Sequence, residues 1–237
     1  MTTVRDPLTL AVAQPPTAPY DVGRNALAHA AAVRAAAARV VVFPELSLTG
    51  YELDASAITP GDPRLAPILD ACAETGTTAL VGAPVQGERG RPYIAMLAVD
   101  DGGARVAYRK MHLGGDEPDR YAPGVAPAVL EVAGWRLGLA ICRDTGVGGH
   151  AAETVALGVD AYVAGTVKLP QESALQDSRA ERVAVEQRIW VAVASFAGAT
   201  GGGFAPAAGR SGIWAPGGRL VARAGIEPGD LVRAELR

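Results

Sequence analysis

The feature that most constrains this fold is a recurrence of short apolar runs, each closed by polar or turn-forming residues. Strands are predicted at 8–14, 39–45, 78–83, 93–99, 105–110, 135–142, 160–167 and 190–196, with shorter ones at 210–215, 219–224 and 231–236. Several, such as Val40-Val41-Val42-Phe43, are apolar without interruption. A strand with one wet face alternates apolar and polar side chains, so unbroken runs indicate strands covered on both faces. Pro216-Gly217-Gly218 marks a turn between two of the later strands.

Helical periodicity fills four of the gaps. Asp21 is placed to cap an alanine-rich helix that ends near Ala38. A second helix is predicted over 63–74, stopping at Gly76, and a third over 150–157, stopping at Gly158. The fourth spans 172–189, with Leu175, Val183 and Ile189 apolar and Arg179, Glu181 and Arg182 solvated. Strands and helices interleave with no internal repeat and no low-complexity linker. One layered α/β domain over 1–237 is the expected architecture.

Composition narrows the partners. Of 237 residues, 49% are hydrophobic and 20% charged, enough apolar surface for a full core and too much for a disordered chain. Lys and Arg number 22 against 25 Asp and Glu, and a net charge of −3 gives no electrostatic reason to expect nucleic acid or an acidic membrane as partner. The longest apolar stretch, 26–43, is interrupted by His29, Arg34 and Arg39, so no membrane span is expected. Residues 1–14 show no basic start followed by an apolar segment and a small-residue cleavage site, so a cytoplasmic location is expected. The two cysteines, Cys72 and Cys142, have neither CxxC nor Cys/His spacing, which leaves no metal or disulfide framework and two thiols to interpret.

Three stretches carry chemistry. In the first, an apolar strand runs into Pro44-Glu45-Leu46-Ser47-Leu48-Thr49-Gly50-Tyr51. A carboxylate held at a strand end among apolar neighbours has its pKa raised and suits a general base; the competing reading is a carboxylate capping backbone N–H groups. In the second, Tyr108-Arg109-Lys110-Met111-His112-Leu113 leads from a strand into a glycine-containing polar loop. There Lys110 either faces a developing oxyanion or is simply solvated, and His112 reads as a hydrogen-bonded structural histidine. The third is Trp135-Arg136-Leu137-Gly138-Leu139-Ala140-Ile141-Cys142-Arg143-Asp144, where the cysteine ends a buried strand with its sulfur at the sheet edge. Such a thiol is a nucleophile only if nearby charge or a base produces the thiolate; otherwise it packs, as Cys72 is expected to do.

Taken together and in this order, the three stretches resemble the nitrilase superfamily, the carbon–nitrogen hydrolases, in its amidase-like branch. The likeness extends over nearly the whole chain. Leu10-Ala11-Val12-Ala13-Gln14 is similar to the family's opening strand, Asp21 with Asn25 to its first helix, and Gly209-Arg210-Ser211-Gly212-Ile213-Trp214-Ala215-Pro216-Gly217-Gly218 to its C-terminal segment. The resemblance implies a four-layer α-β-β-α sandwich and a Glu-Lys-Cys triad, with Glu45 as general base, Lys110 as oxyanion stabiliser and Cys142 as nucleophile. It further implies that Glu117, six residues before Pro123 of a Pro-Gly pair, orients Lys110 or the substrate. The backbone N–H of Arg143 would be a second oxyanion donor.

The implied reaction converts a small amide to a carboxylic acid and ammonia through a thioester. It needs no metal or organic cofactor, since the thiol supplies nucleophilicity and the lysine charge. An N-carbamoyl hydrolase or a nitrilase would use the same triad, but nitrilases commonly carry Trp-Glu where this chain has Arg143-Asp144. A silent member acting as a binding module would have little reason to retain all three residue types. The family also implies a homodimer or higher homo-oligomer. This chain departs from the family pattern at Thr145-Gly146-Val147-Gly148-Gly149-His150, at Ser195 and at Ala184-Val185-Glu186-Gln187. Arg143 stands where an aromatic residue is more frequent. Its guanidinium either holds a substrate carboxylate or pairs with Asp144 or another surface acid.

Overall fold

A computed structural model describes residues 5–87 and 90–237; the first four residues of the 1–14 segment lie outside it. Among the described residues the chain forms two six-stranded sheets. The first has the order β14 (Leu231–Leu236), β1 (Leu8–Ala13), β2 (Val40–Val42), β3 (Thr78–Val85), β4 (Tyr93–Asp100), β5 (Gly103–Arg109). The second has the order β13 (Leu220–Arg223), β12 (Gly212–Trp214), β9 (Trp190–Ser195), β8 (Ala161–Thr166), β7 (Trp135–Ile141), β6 (Val129–Val132). Both are built alike: β1, β2 and β3 are parallel at the centre of one, β7, β8 and β9 at the centre of the other, and the flanking strands are antiparallel. A short ribbon of β10 (Ala197–Gly198) and β11 (Ala207–Ala208) lies outside both.

The unbroken apolar runs follow from two-sided burial. Along β1 and β2, Leu10, Val12, Val40 and Val42 point into the space between the sheets, where they meet Leu137, Leu139 and Ile141 of β7. The alternate residues Ala11, Ala13 and Val41 point outward against α1 (Val22–Ala36) and α2 (Ala66–Thr75). The second sheet repeats this: Ala140, Tyr162, Ala164 and Val191 pack against α4 (Gly148–Val155) and α5 (Ser173–Gln187). Helices, sheet, sheet and helices make the expected four layers. Burying each Leu, Val or Ile on these faces stabilises the fold by about 1.5–3 kcal/mol, so a charge at Val41 or Leu139 would break it.

Local signals set the ends. Asp21 Oδ1 accepts from Arg24 N at 3.0 Å, capping α1, which stops at Ala36 rather than 38 because Ala37 turns left-handed. Gly76, at φ 65°, ends α2, which begins at Ala66 after a tight turn over 63–65. β2 stops at Val42, short of the expected 45, since Pro44 has no N–H for a ladder. Helix α4 starts two residues before the expected 150, through Gly148-Gly149. The strand β6 and the helical turn α3 (Glu117–Arg120) were not anticipated, both being only four residues long. No helix among the described residues is long and apolar enough to cross a membrane.

Candidate active site

Glu45 is delivered by the turn that follows β2. Its chain passes between the two sheets at a point where no side chain fits. A Cβ on Gly82 of β3 would stand 2.3 Å from Pro44 O and 2.4 Å from Leu46 N, and one on Gly165 of β8 would stand 2.7 Å from Phe43 O. Leu46 takes φ 53°, turning the chain back. Behind this turn His29 Nδ1 donates to Asn25 O at 2.7 Å and its Nε2 accepts from Ser47 Oγ at 2.8 Å. Burial lowers His29 to about 4, in keeping with a neutral ring.

Lys110 follows the last residue of β5, and its ammonium turns inward. Nζ lies 2.6 Å from Glu45 Oε1 and 2.7 Å from each oxygen of Glu117. Glu117 opens α3 and is held from two more sides: Tyr51 OH donates to Oε1 at 2.7 Å and Gly114 N to Oε2 at 2.8 Å. Lys110, Glu45 and Glu117 are each 1% exposed. Glu45 Oε2 has no hydrogen-bond partner among the described residues.

Cys142 is not the last residue of its strand, as expected, but the first of a tight turn over 142–146, with φ 44°. A non-glycine residue in this region costs roughly 1 kcal/mol or more and persists only where neighbours impose it. Asp144 does so. Its Oδ2 accepts from Ile141 N at 3.0 Å and Tyr108 OH at 2.8 Å, and its Oδ1 from His112 N and Nδ1 at 2.9 Å. Tyr108 OH also meets His150 Nε2, and His150 Nδ1 meets Tyr162 OH, both at 2.8 Å. Burial lowers the His150 pKa, which matches a neutral ring donating through Nε2 and accepting through Nδ1. His112 is thus hydrogen-bonded and structural, as expected. Cys72 is fully buried between α2 and the first sheet.

The sulfur is also more enclosed than a sheet-edge thiol: Cys142 is 8% exposed, with Sγ 3.6 Å from Val167 O and 3.7 Å from Lys168 Nζ. It lies at the floor of a cavity of about 640 Å³ walled by Tyr51, Phe204, Lys110, Glu117 and Arg143. Arg143 is exposed, its Cδ lying 3.3 Å from where a Gly114 Cβ would be, and it forms no ion pair among the described residues. The anticipated partner Asp144 is fully engaged elsewhere. Tyr51, Lys168 and the two glycines 82 and 165 were not singled out from sequence; only Tyr51 stood within a quoted motif.

Burial sets the electrostatics. It raises Glu45 to about 7, with Lys110 pulling down and Glu117 pushing up. It raises the Cys142 thiol to about 11, aided by Glu45 and opposed by Lys110 and Lys168. For Lys110 burial works against the charge, but Glu45, Cys142 and Glu117 outweigh it and hold the ammonium above its usual range. A carboxyl poised near neutrality, a fixed cation and a thiol therefore share one enclosed centre.

Comparison with known proteins places the chain in a family. Residues 9–237 match the family described as carbon–nitrogen hydrolase. A protein of Pseudomonas protegens described as a hydrolase in the pqqF 5′ region is 30% identical over 237 residues, covering 95% of this chain and 81% of the relative. The fold is shared with an amidase of the nitrilase superfamily from Nesterenkonia AN1 (23% identity, TM-score 0.86, covering 98% of this chain and 91% of that one). It is shared too with Saccharomyces cerevisiae Nit3 (21% identity, TM-score 0.86, covering 98% and 90%). With two ordered sheets, outer helices and a family match running from β1 to the last residue, the chain belongs to the carbon–nitrogen hydrolase family.

Proposed function

We propose that the enzyme hydrolyses a small amide to a carboxylic acid and ammonia by a Glu45-Lys110-Cys142 triad. The observation that carries this reading is the contact of Lys110 Nζ with both Glu45 and Glu117 at the floor of the cavity that holds Cys142. Glu45 Oε2, unengaged, takes the thiol proton as sulfur attacks the carbonyl carbon. The carbonyl π pair moves to oxygen, and Lys110 with the Arg143 backbone N–H stabilises that oxyanion. The tetrahedral species collapses, the C–N bond breaks, and protonated Glu45 gives its proton to departing ammonia. A thioester remains on Cys142. Water attacks it with Glu45 as base, and the acid leaves with the thiol regenerated.

Glu117 positions Lys110, and Tyr51 and Gly114 N fix Glu117 in turn. A variant of the Nesterenkonia amidase, 23% identical to this chain, carries acrylamide added at its active-site cysteine, and Cys142 is the cysteine of this chain that opens to a cavity. Arg143 is assigned to a substrate carboxylate, because it lines the cavity and has no acid partner among the described residues. The test is ammonia release from short aliphatic amides, ω-amides of dicarboxylic acids, N-carbamoyl amino acids and nitriles. Turnover of amides with acid and ammonia in equal amounts is expected. Turnover confined to nitriles or N-carbamoyl compounds would replace the amidase reading, and none on any class would reject it.

A further inference from the structure

Beyond the groups assigned above, one more side chain reaches the sulfur. Strand β8 is buried along its whole length, and Lys168 is the first charged residue after it. Because β7 and β8 run parallel with Ile141 opposite Gly165, the chain leaves β8 at the same sheet edge where β7 delivers Cys142. Lys168 Nζ stands 3.7 Å from Cys142 Sγ, its one polar side-chain contact among the described residues. Among the described residues no carboxylate pairs with it. Glu172, which lines the same cavity, has Oε2 engaged by Leu169 N at 3.0 Å.

Lys110 differs in this respect. Its ammonium is committed to two carboxylates, at 2.6 and 2.7 Å. Two negative groups therefore stand on one cation before any charge develops on sulfur. Moving the thiol proton to Glu45 creates an anion at Sγ, and the uncommitted cation in contact with that sulfur is Lys168, at 3.7 Å.

We propose that Lys168 is a second catalytic cation, which donates a charge-assisted hydrogen bond to the Cys142 thiolate as the thiol proton passes to Glu45. The inference rests on Cys142 being the nucleophile. The S–H bond breaks, the proton goes to Glu45 Oε2, the electron pair stays on sulfur, and Lys168 keeps its own proton throughout. When sulfur bonds to the carbonyl carbon, the charge moves to oxygen, where Lys110 and the Arg143 N–H receive it. Two lysines thus serve two successive positions of one negative charge. Lys168 also opposes the upward push that burial and Glu45 exert on the thiol. The other charged groups facing the site are Glu45 after β2, Lys110 after β5, Glu117 of α3, Arg143 beside the cysteine and, on the cavity wall, Asp54, Asp116, Glu172 and Arg179 of α5.

The test follows the rate of iodoacetamide alkylation of Cys142 between about pH 6 and pH 10, on the rising limb below the midpoint of a thiol that burial pushes to about 11. The alkylated cysteine is identified by peptide mass spectrometry, so Cys72 does not interfere. Lys168→Met should displace this limb up by about half a pH unit or more, which slows alkylation at pH 7.5 about threefold or more, as loss of a nearby opposite charge requires. Lys168→Arg should restore the profile, and Lys168→Gln replaces the methionine variant if that one melts early. A Met or Gln profile that superimposes on the unmodified enzyme, or an Arg variant as impaired as the neutral ones, overturns the proposal. The measurement needs no amide substrate. A shifted profile without amide turnover would reject the amidase reading and keep Lys168, whereas turnover with an unshifted profile would do the reverse.

Discussion

Lys110 Nζ and Glu45 Oε1 are 2.6 Å apart, at a depth where each side chain is almost wholly removed from water. Such a pair is held by mutual need, since either charge alone would be strongly disfavoured there. Removing the lysine also exposes Glu45 and Glu117 to one another. Lys110→Met should therefore lower stability as well as turnover. With the cation gone, burial and the neighbouring Glu117 push the Glu45 carboxyl further above its unfolded value, so this loss deepens as pH rises. We expect it to be small near pH 5 and about 3–5 kcal/mol near pH 8, by urea melts, with turnover down by about 10²–10³ or more. A loss of stability that is equal at both pH values would contradict the account.

The two thiols should separate cleanly. Cys142→Ala should abolish turnover of every amide while leaving the melting temperature within a few degrees, because the residue is small and lies at a cavity floor. Cys72→Ala should keep kcat within about twofold and cost about 1 kcal/mol of stability from lost packing. Residual amide turnover by Cys142→Ala would remove the thioester from the mechanism.

Burial places the Glu45 carboxyl at about 7. The base must be ionised to accept a thiol proton, so kcat/KM should fall about tenfold per unit as pH drops below this value. The thiol, pushed to about 11, sets no limb in the acid range. A profile that stays flat from pH 8 down to about pH 5.5 would take the role of base away from Glu45.

Arg143 gives the substrate prediction. Arg143→Met should reduce kcat/KM for amides bearing a carboxylate at least tenfold, or about 1.4 kcal/mol, and spare neutral amides of equal length. Equal losses on both classes, or none on either, would return Arg143 to a structural role.

Gly82 tests how closely fold and site are joined. A Cβ there would collide with Pro44 O at 2.3 Å, and backbone on both sides cannot yield cheaply. Gly82→Ala should cost about 1–3 kcal/mol and displace Glu45, so that turnover falls further than stability alone explains. An alanine variant with unchanged kcat would show that the turn has slack.

Much of the layered fold was legible because two-sided burial writes itself as unbroken apolar strands, from Val40 to Trp190. Glu45, Lys110 and Cys142 stand just beyond the ends of β2, β5 and β7. What escaped has physical reasons. Lys168 carries no local mark, since its meaning comes only from β8 lying beside β7. Gly82 and Gly165 look like any strand glycine until the chain that crosses them is known. The four-residue elements β6 and α3 are too short to show a period. Cys142 was misplaced by one residue, because nothing local announces a positive φ in a cysteine that Asp144 holds from outside the strand.

Asp144 has one further consequence. Its two oxygens fasten Ile141, in the second sheet, to Tyr108 and His112, at the end of the first. The halves of the sandwich are stitched together next to Cys142, so substrate traffic cannot depend on the sheets parting. Entry and exit fall to the rim of the cavity, where residues 51–54, 114–116 and 202–204 meet. Glycines 115 and 202 there adopt backbone angles open to few other residues. Changes along that rim would alter how fast molecules come and go while leaving the reacting groups in register.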